Sequence, residues 1–327
     1  MIIVKTPLRI SFIGGGSDIP AFYKQFPGAT ISTTINKYIY ICINKKFDNR
    51  IRASYSVTEI VNHVNQLKHT RIKECMKYTG VDKGIEIVTI ADVPSKGTGL
   101  GSSSSLTVGL LKAMYAYKGQ TISEEELADQ ACQIEINKLH EPIGKQDQYI
   151  AGYGGFRFIE YLPNDKVTVN YVICKPETLE KIQNSIMLFY TGITRSTNDI
   201  LHHQIKGYSQ NHKLENAKKM VSLAYELKKQ VEKNNVNNFG QLLHEAWILK
   251  KTLAYNISQP KIDEMYEIAR KNGALGGKLL GAGGGGFLMV FAPLKKQEKI
   301  RRALRRYYEM KISFEPEGCK ILFMKKI

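Results

Sequence analysis

Three alternating glycines stand in front of four serines in Gly97-Thr98-Gly99-Leu100-Gly101-Ser102-Ser103-Ser104-Ser105. Glycine at alternate positions lets the backbone turn tightly and adopt positive φ. Leu106, Leu110, Leu111 and Met114 then recur at helical spacing, so the loop opens a helix, with a serine expected as its N-cap. A helix start offers unpaired N–H groups and a partial positive charge to an anion. Serine hydroxyls add hydrogen bonds, or a hard oxygen ligand for Mg²⁺. The chemistry that fits this stretch is phosphate binding. A Walker loop needs lysine where Ser102 follows Gly101, and the dinucleotide fingerprint needs glycine at the same place. A Gly/Ser linker is the plain alternative, and the helix directly behind the serines speaks against it.

Two further glycine-rich stretches flank this one in the chain. Gly14-Gly15-Gly16-Ser17-Asp18 follows a strand-like run over residues 2–13, continuous or broken at Pro7, in which Leu8, Ile10 and Phe12 alternate with Arg9, Ser11 and Ile13. Asp18 is expected to cap a short helix that begins near Pro20. Near the end of the chain, Gly281, Gly283 and Gly286 match the dinucleotide fingerprint by letter, but an apolar strand follows them where a helix is required, which rejects NAD. The run Gly283-Gly284-Gly285-Gly286 instead implies backbone pressed against a ligand or another loop. Between these stretches, Ser123-Glu124-Glu125-Glu126 is a capping box that opens a helix. Ala128, Cys132, Glu135 and Leu139 share one stripe of it. Periodicity alone leaves open whether Glu135 reaches water from the stripe edge or points at a buried cation.

The elements that must position these residues alternate in type. Residues 30–47 and 84–90 read as strands, 57–79 as helix, and 141–160 as a loop or short helix followed by a strand. Composition shifts after Pro163, which puts a boundary near residue 165 between units 1–165 and 166–327. Strand-like pieces over 167–174 and 185–191 precede three long helical patterns, the last from Pro260 to Asn272. The expected class is α+β in two domains.

The chain has 327 residues, 43% of them apolar and 24% charged, which fits a globular protein with a sizeable core. No apolar run approaches a membrane span, and the N-terminus is too soon interrupted for a signal peptide. Five scattered cysteines without a CxxC pair read as reduced thiols, hence a cytoplasmic protein. The net charge of +17 suits nucleic acid, an anionic surface or small anionic substrates. Its densest cluster, Lys295 to Arg306, reads as a solvated helix face with Ile300, Leu304 and Tyr307 inward. No nucleic-acid motif accompanies it, so neither nucleic acid nor membrane is the expected partner.

Taken together, the three glycine-rich stretches resemble the GHMP kinases, the superfamily of galactokinase, homoserine kinase and mevalonate kinase. Pro7-Leu8-Arg9-Ile10 through Asp18 is similar to the first family motif, Pro94 through Ser105 to the second, and Gly273 through Gly286 to the third. The resemblance spans essentially the whole chain. It implies a ribosomal-S5-like N-terminal domain carrying the ATP loop and a ferredoxin-like, helical C-terminal domain, with phosphoryl transfer from MgATP to a small-molecule hydroxyl between them. By the same resemblance Asp147 is the catalytic base, with Arg9 beside it holding it ionised and steadying the incipient alkoxide. Gly97, Gly99, Leu100, Gly101, Ser102, Ser103 and Ser104 bind the ATP phosphates. Glu135 and Ser103 hold Mg²⁺, with Ser102 or Ser104 as substitutes for the serine. Galactokinase carries an acidic residue and a histidine where this chain has Gly15 and Gly16, so the resemblance implies an acceptor other than galactose with more room beside it. Asp18, Gly15, Gly16, Thr194, Arg195, Gly283 and Gly284 are the expected substrate contacts.

Within the superfamily, the Gly14–Asp18 loop, the serine run and Tyr190-Thr191-Gly192-Ile193-Thr194-Arg195 look closest to bacterial D-glycero-D-manno-heptose 7-phosphate kinases. Fucokinase-type domains share a similar threonine-glycine-x-threonine-arginine element. The resemblance implies phosphorylation of an anomeric hydroxyl, to give the heptose 1,7-bisphosphate on the route to nucleotide-activated heptose. Arg195 would meet the acceptor's own phosphate, since its planar fork can bond two oxygens at once. A sugar kinase on a neutral sugar such as fucose is the alternative. A non-catalytic sugar or ATP sensor is the alternative of another class.

Overall fold

The computed structural model describes residues 1–94, 97–194 and 197–325. Two strands dominate the first sheet, β1 (Ile2–Ile13) and β2 (Gly28–Lys45), which pair antiparallel over most of their length. Pro7 has no N–H to donate, and the register shifts at it: Pro7 faces Tyr38 while Leu8 faces Ile35. The run is therefore one strand with a bulge. Alternation sends Leu8, Ile10 and Phe12 into the core and turns Arg9 and Ser11 toward a cavity on the other side.

The hairpin β3 (Ile51–Ser54) and β4 (Thr58–Val61) extends this sheet through β5 (Ile85–Ala91), which lies parallel to β3 and antiparallel to β2. The first half of β2 also pairs with β6 (Phe156–Tyr161), and β6 with β7 (Val167–Tyr171). The second sheet contains β8 (Ile186–Tyr190), β9 (Gly276–Leu279), β10 (Phe287–Phe291) and β11 (Glu309–Met310) in the order β11-β8-β10-β9. The last strand, β12 (Lys320–Met324), returns to the first sheet beside β1.

One continuous core joins the sheets. Phe12 of β1 meets Phe239 edge-on at 5.3 Å, and Phe239 stacks on Phe291 of β10 at 4.7 Å. Phe239 opens the helix Phe239–Leu253, so this helix is packed between the two sheets and can present side chains to a site at their junction. The helix Leu294–Ala303 carries the basic cluster on its outer face, with Ile300 buried. Among the described residues no helix is long and apolar enough to cross a membrane.

Several expectations need correction. Residues 57–79 are not one helix: Thr58–Val61 pairs as an edge strand, and only Thr70–Thr79 is α-helical. The boundary near residue 165 falls in the turn between β6 and β7, and both strands pair in the first sheet. The chain leaves that sheet after Tyr171 and comes back to it at Lys320. The N-cap of the serine helix is Gly101, at φ 78°, because an L-residue there would be strained. Asp18 does not cap the short helix Pro20–Tyr23, whose N-cap is Ile19.

Candidate active site

The three glycine-rich loops meet at one place, around a cavity of about 440 Å³. Gly99 and Gly281 make the closest approach. A Cβ on Gly99 would lie 2.5 Å from the Leu280 carbonyl oxygen, and one on Gly281 would lie 2.7 Å from Gly99 Cα. The backbone N–H of Phe287 donates to the Thr98 carbonyl at 3.2 Å, and that of Gly286 to the Ile193 carbonyl at 2.9 Å. The glycine run is thus pressed against other loops, as one of its two readings had it.

The helix Ser102–Tyr117 starts at the cavity wall. Its first helical backbone bond runs from the Ser105 N–H to the Gly101 carbonyl, at 3.0 Å, so the N–H groups of Ser102, Ser103 and Ser104 have no partner within the helix. Together with the positive end of the helix dipole they form an anion cradle. The serine hydroxyls divide by task. Ser105 donates to the Pro7 carbonyl at 2.9 Å and Ser104 to Glu135 at 2.7 Å, which fixes the helix to β1 and to its neighbour. Ser102 lies 3.3 Å from the Thr98 hydroxyl. Ser103 is exposed at the cavity.

Beside the N-cap Gly101 of this helix, Arg9 and Asp147 form a bidentate pair. Arg9 Nε donates to Asp147 Oδ1 at 2.8 Å and one terminal nitrogen donates to Oδ2 at 2.6 Å. The other terminal nitrogen donates to the Gly99 carbonyl at 2.5 Å, and the Arg9 backbone N–H donates to the Leu100 carbonyl at 3.0 Å. One arginine therefore fixes both the carboxylate and the glycine loop. Asp147 sits in the first turn of the helix Gln146–Tyr153 and is 22% exposed, enough for its remaining lone pairs to meet a ligand in the cavity.

Asp18 lines the same cavity and is buried. Its carboxylate accepts the backbone N–H of Gly16 at 2.8 Å and that of Gln146 at 3.2 Å, which ties the first glycine loop to the Asp147 helix. Burial, and after it the nearby Asp147 charge, push the Asp18 pKa above the usual carboxylate value, against the two N–H bonds that lower it. Gly15 and Gly16 line the cavity too. The room expected at Gly16 is not open: Gln204 and the Tyr208 hydroxyl fill it, and that hydroxyl donates to the Gly16 carbonyl at 3.0 Å.

Glu135 is fully buried. Its carboxylate accepts from Arg71 Nε at 3.0 Å, Thr107 at 2.8 Å, Ser104 at 2.7 Å and Gln148 Nε2 at 2.5 Å. The α-helix Glu124–Cys132 passes into a π-turn over Gln133–Lys138, which carries Glu135 into this cluster. The hydroxyls on Glu135 belong to Thr107 and to Ser104, the latter one of the two expected substitutes for Ser103. One terminal nitrogen of Arg71 also donates to both Glu141 oxygens, at 2.6 and 2.5 Å, and both residues line the cavity.

Other expected contacts lie elsewhere. Thr194 packs over Gly97, outside the cavity lining. Gly283 abuts Ile257, and Gly284 donates its N–H to the Ile257 carbonyl at 2.9 Å, so these two glycines support the loop from behind. Gly281 and Ala282 are the members of the third loop that line the cavity. Arg195 lies outside the described residues. Arg71, Glu141, Gln204, Lys250 and Lys278 line the cavity without having been expected there. Lys278 lies within the Gly273–Gly286 stretch and Glu141 in the loop before the helix Gln146–Tyr153, while Arg71, Gln204 and Lys250 sit on helices whose periodicity explains them equally well as surface or stripe residues.

An anion cradle at a helix start, an arginine-clamped aspartate beside it and the cavity that both line suit a small-molecule phosphotransferase. Sequence comparison agrees. The family model of the GHMP kinases N terminal domain matches residues 62–155, and that of the GHMP kinases C terminal matches residues 227–309. The D-glycero-alpha-D-manno-heptose 7-phosphate kinase of Campylobacter jejuni is 31% identical over 98% of both chains. The bifunctional fucokinase/GDP-fucose pyrophosphorylase of Arabidopsis thaliana is 24% identical over 94% of this chain and 32% of its own. The crystal structure of a D-glycero-D-manno-heptose 1-phosphate kinase from Bacteroides thetaiotaomicron superposes with a TM-score of 0.83, at 27% identity and full coverage of both chains. The chain belongs to the GHMP kinases and has their two-domain fold; it is an ATP-dependent phosphotransferase with an alcohol acceptor.

Proposed function

We propose that the protein transfers the γ-phosphoryl group of MgATP to the anomeric hydroxyl of D-glycero-D-manno-heptose 7-phosphate, giving the 1,7-bisphosphate. The observation that carries this reading is the end-to-end similarity to the Campylobacter jejuni enzyme. Asp147 accepts the proton of the attacking hydroxyl, and Arg9 orients the carboxylate and supplies its counter-charge. The free N–H groups at Ser102, Ser103 and Ser104 hold the phosphates of ATP. Asp18 accepts hydrogen bonds from the sugar hydroxyls. Catalysis of this kind is mainly positioning and charge stabilisation. The test is ATP turnover against a panel of sugars and sugar phosphates. The heptose 7-phosphate should give the highest kcat/KM, and a higher value for fucose would transfer the reading to the fucokinase-like alternative, which the Arabidopsis thaliana match favours next. Retention of the Arg9–Asp147 pair speaks against a non-catalytic sensor, which has no need of a base.

Mg²⁺ fits the donors beside the cradle. Glu135, Ser103, Ser104 and Thr107 are all hard oxygen donors, and the buried Gln148 Oε1 among them has no partner. Among the described residues no group of three His, Cys, Asp or Glu residues is placed to hold a metal, so the ATP phosphates and water would complete the coordination. When bound, the ion neutralises phosphate charge. Glu135→Gln should raise the Mg²⁺ concentration needed for half-maximal activity. An unchanged Mg²⁺ titration, with activity otherwise retained, would leave Glu135 only the task of holding Arg71, Ser104 and Gln148 in place.

A further inference from the structure

Lys278 of β9 is 3% exposed and lines the cavity. Charged groups face it from every side: Lys250 of the helix Phe239–Leu253, Arg9 of β1, Asp18 of the first glycine loop and Asp147 of the helix Gln146–Tyr153. The other four are already engaged. Arg9 and Asp147 hold each other, Asp18 accepts two backbone N–H groups, and Lys250 Nζ donates to the Gly281 carbonyl at 2.5 Å. Among the described residues Lys278 Nζ has no hydrogen-bond acceptor and no carboxylate within ion-pair distance. A buried ammonium without a partner is costly, so a protein that keeps one in a ligand cavity gains from it only when an anion arrives.

The position indicates which anion. Lys250 is anchored on Gly281, Gly281 touches Gly99, and Gly99 holds Arg9, so both lysines stand at the seam where the phosphate loop meets the Arg9–Asp147 pair. We infer that Lys278, with Lys250 beside it, forms a phosphate-binding subsite on the wall that the second sheet contributes to the cavity. The phosphate has two sources in a kinase: the phosphoryl group coming from ATP, or a phosphate already on the acceptor. The second source rests on the proposed substrate; the first does not.

Burial, then the neighbouring positive charges, push both ammonium groups down, Lys250 to about 8 and Lys278 well below the usual lysine value. A phosphate dianion bound beside the two groups favours their charged forms and raises both again. Phosphate binding at this subsite should take up a proton from solvent.

Calorimetric titration of the full chain at about pH 8, in two buffers of different ionisation heat, reads this directly. MgATP without acceptor and heptose 7-phosphate without ATP are titrated separately into the wild type, Lys278→Met and Lys250→Met. For the ligand whose phosphate occupies the subsite, Lys278→Met should bind about 10- to 100-fold more weakly and lose the proton uptake seen in the wild type. Lys250→Met should show a smaller loss for the same ligand. If that ligand is MgATP, kcat should fall equally on phosphorylated and unphosphorylated sugars; if it is the sugar phosphate, only the phosphorylated acceptor should suffer. Lys278→Met should melt no lower than the wild type, since it removes a buried charge and keeps the volume. Equal affinity and equal proton uptake in wild type and Lys278→Met for both ligands would overturn the inference. Failure of heptose 7-phosphate to bind the wild type would count against the proposed substrate and leave the MgATP titration to decide Lys278.

Discussion

Asp147→Asn should lower kcat by about 10²- to 10⁴-fold while ATP affinity stays near that of the wild type, because this is the range that a positioned general base supplies. The geometry makes the substitution informative. Both Asp147 oxygens accept from Arg9, at 2.8 and 2.6 Å, so the carboxylate is fixed before any acceptor arrives. Asparagine keeps the shape and one acceptor, but its amide nitrogen cannot accept the proton of the attacking hydroxyl. The anion cradle at Ser102–Ser104 is built from backbone N–H groups that Asp147 does not bond, so ATP should still bind if it uses that cradle. Steady-state kinetics with the acceptor, and a separate ATP titration, distinguish the two effects. Turnover near the wild-type level would remove Asp147 from the chemistry; a parallel loss of ATP binding would mean that the variant disturbs the loop through Arg9.

The parts of this site that could be read from the sequence are those in which local backbone needs and chemistry coincide. Gly97, Gly99 and Gly101 all take positive φ, and the helix they open follows directly in the chain, so a short stretch carries the whole signal. Ala128 and Cys132 are buried as their spacing predicts, and Glu135, whose burial the spacing left open, is buried with them. What escaped depends on contacts between distant segments. Lys250 lies in a helix pattern defined by Leu242, Leu243, Ala246 and Leu253, and nothing local tells that its ammonium ends at Gly281. Arg71 meets Glu135 and Glu141 across more than sixty residues of chain. The Gly16 pocket is filled by Gln204 from another helix, which only the packing of that helix decides. Thr58–Val61 was hidden for a similar reason, since a short edge strand is specified by its partner more than by its own residues.

Arg9→Met should cost about 10²-fold or more in kcat and also destabilise the fold, and the two effects have one origin. Arg9 is 3% exposed and uses the three nitrogens of its fork at once, two on Asp147 and one on the Gly99 carbonyl. Methionine fills a similar volume and donates nothing. Asp147 is then left without its counter-charge and the Gly99 carbonyl without its donor, at the seam where Gly99 packs on Leu280 and Gly281. Removing one partner of a fully buried pair costs about 3–5 kcal/mol; because Asp147 keeps 22% exposure and can be partly hydrated, roughly 1–3 kcal/mol is the expected loss here. Lysine does not replace the fork, since one ammonium cannot span both carboxylate oxygens and the carbonyl, so Arg9→Lys should recover stability better than turnover. The decisive comparison is the double variant Arg9→Met/Asp147→Asn. If Arg9 acts through the carboxylate that it clamps, removing the base first should leave little for Arg9→Met to take away, and the kcat losses should be strongly sub-additive. Multiplication of the two single losses would instead assign Arg9 an effect of its own on the developing charge of the acceptor oxygen, independent of Asp147.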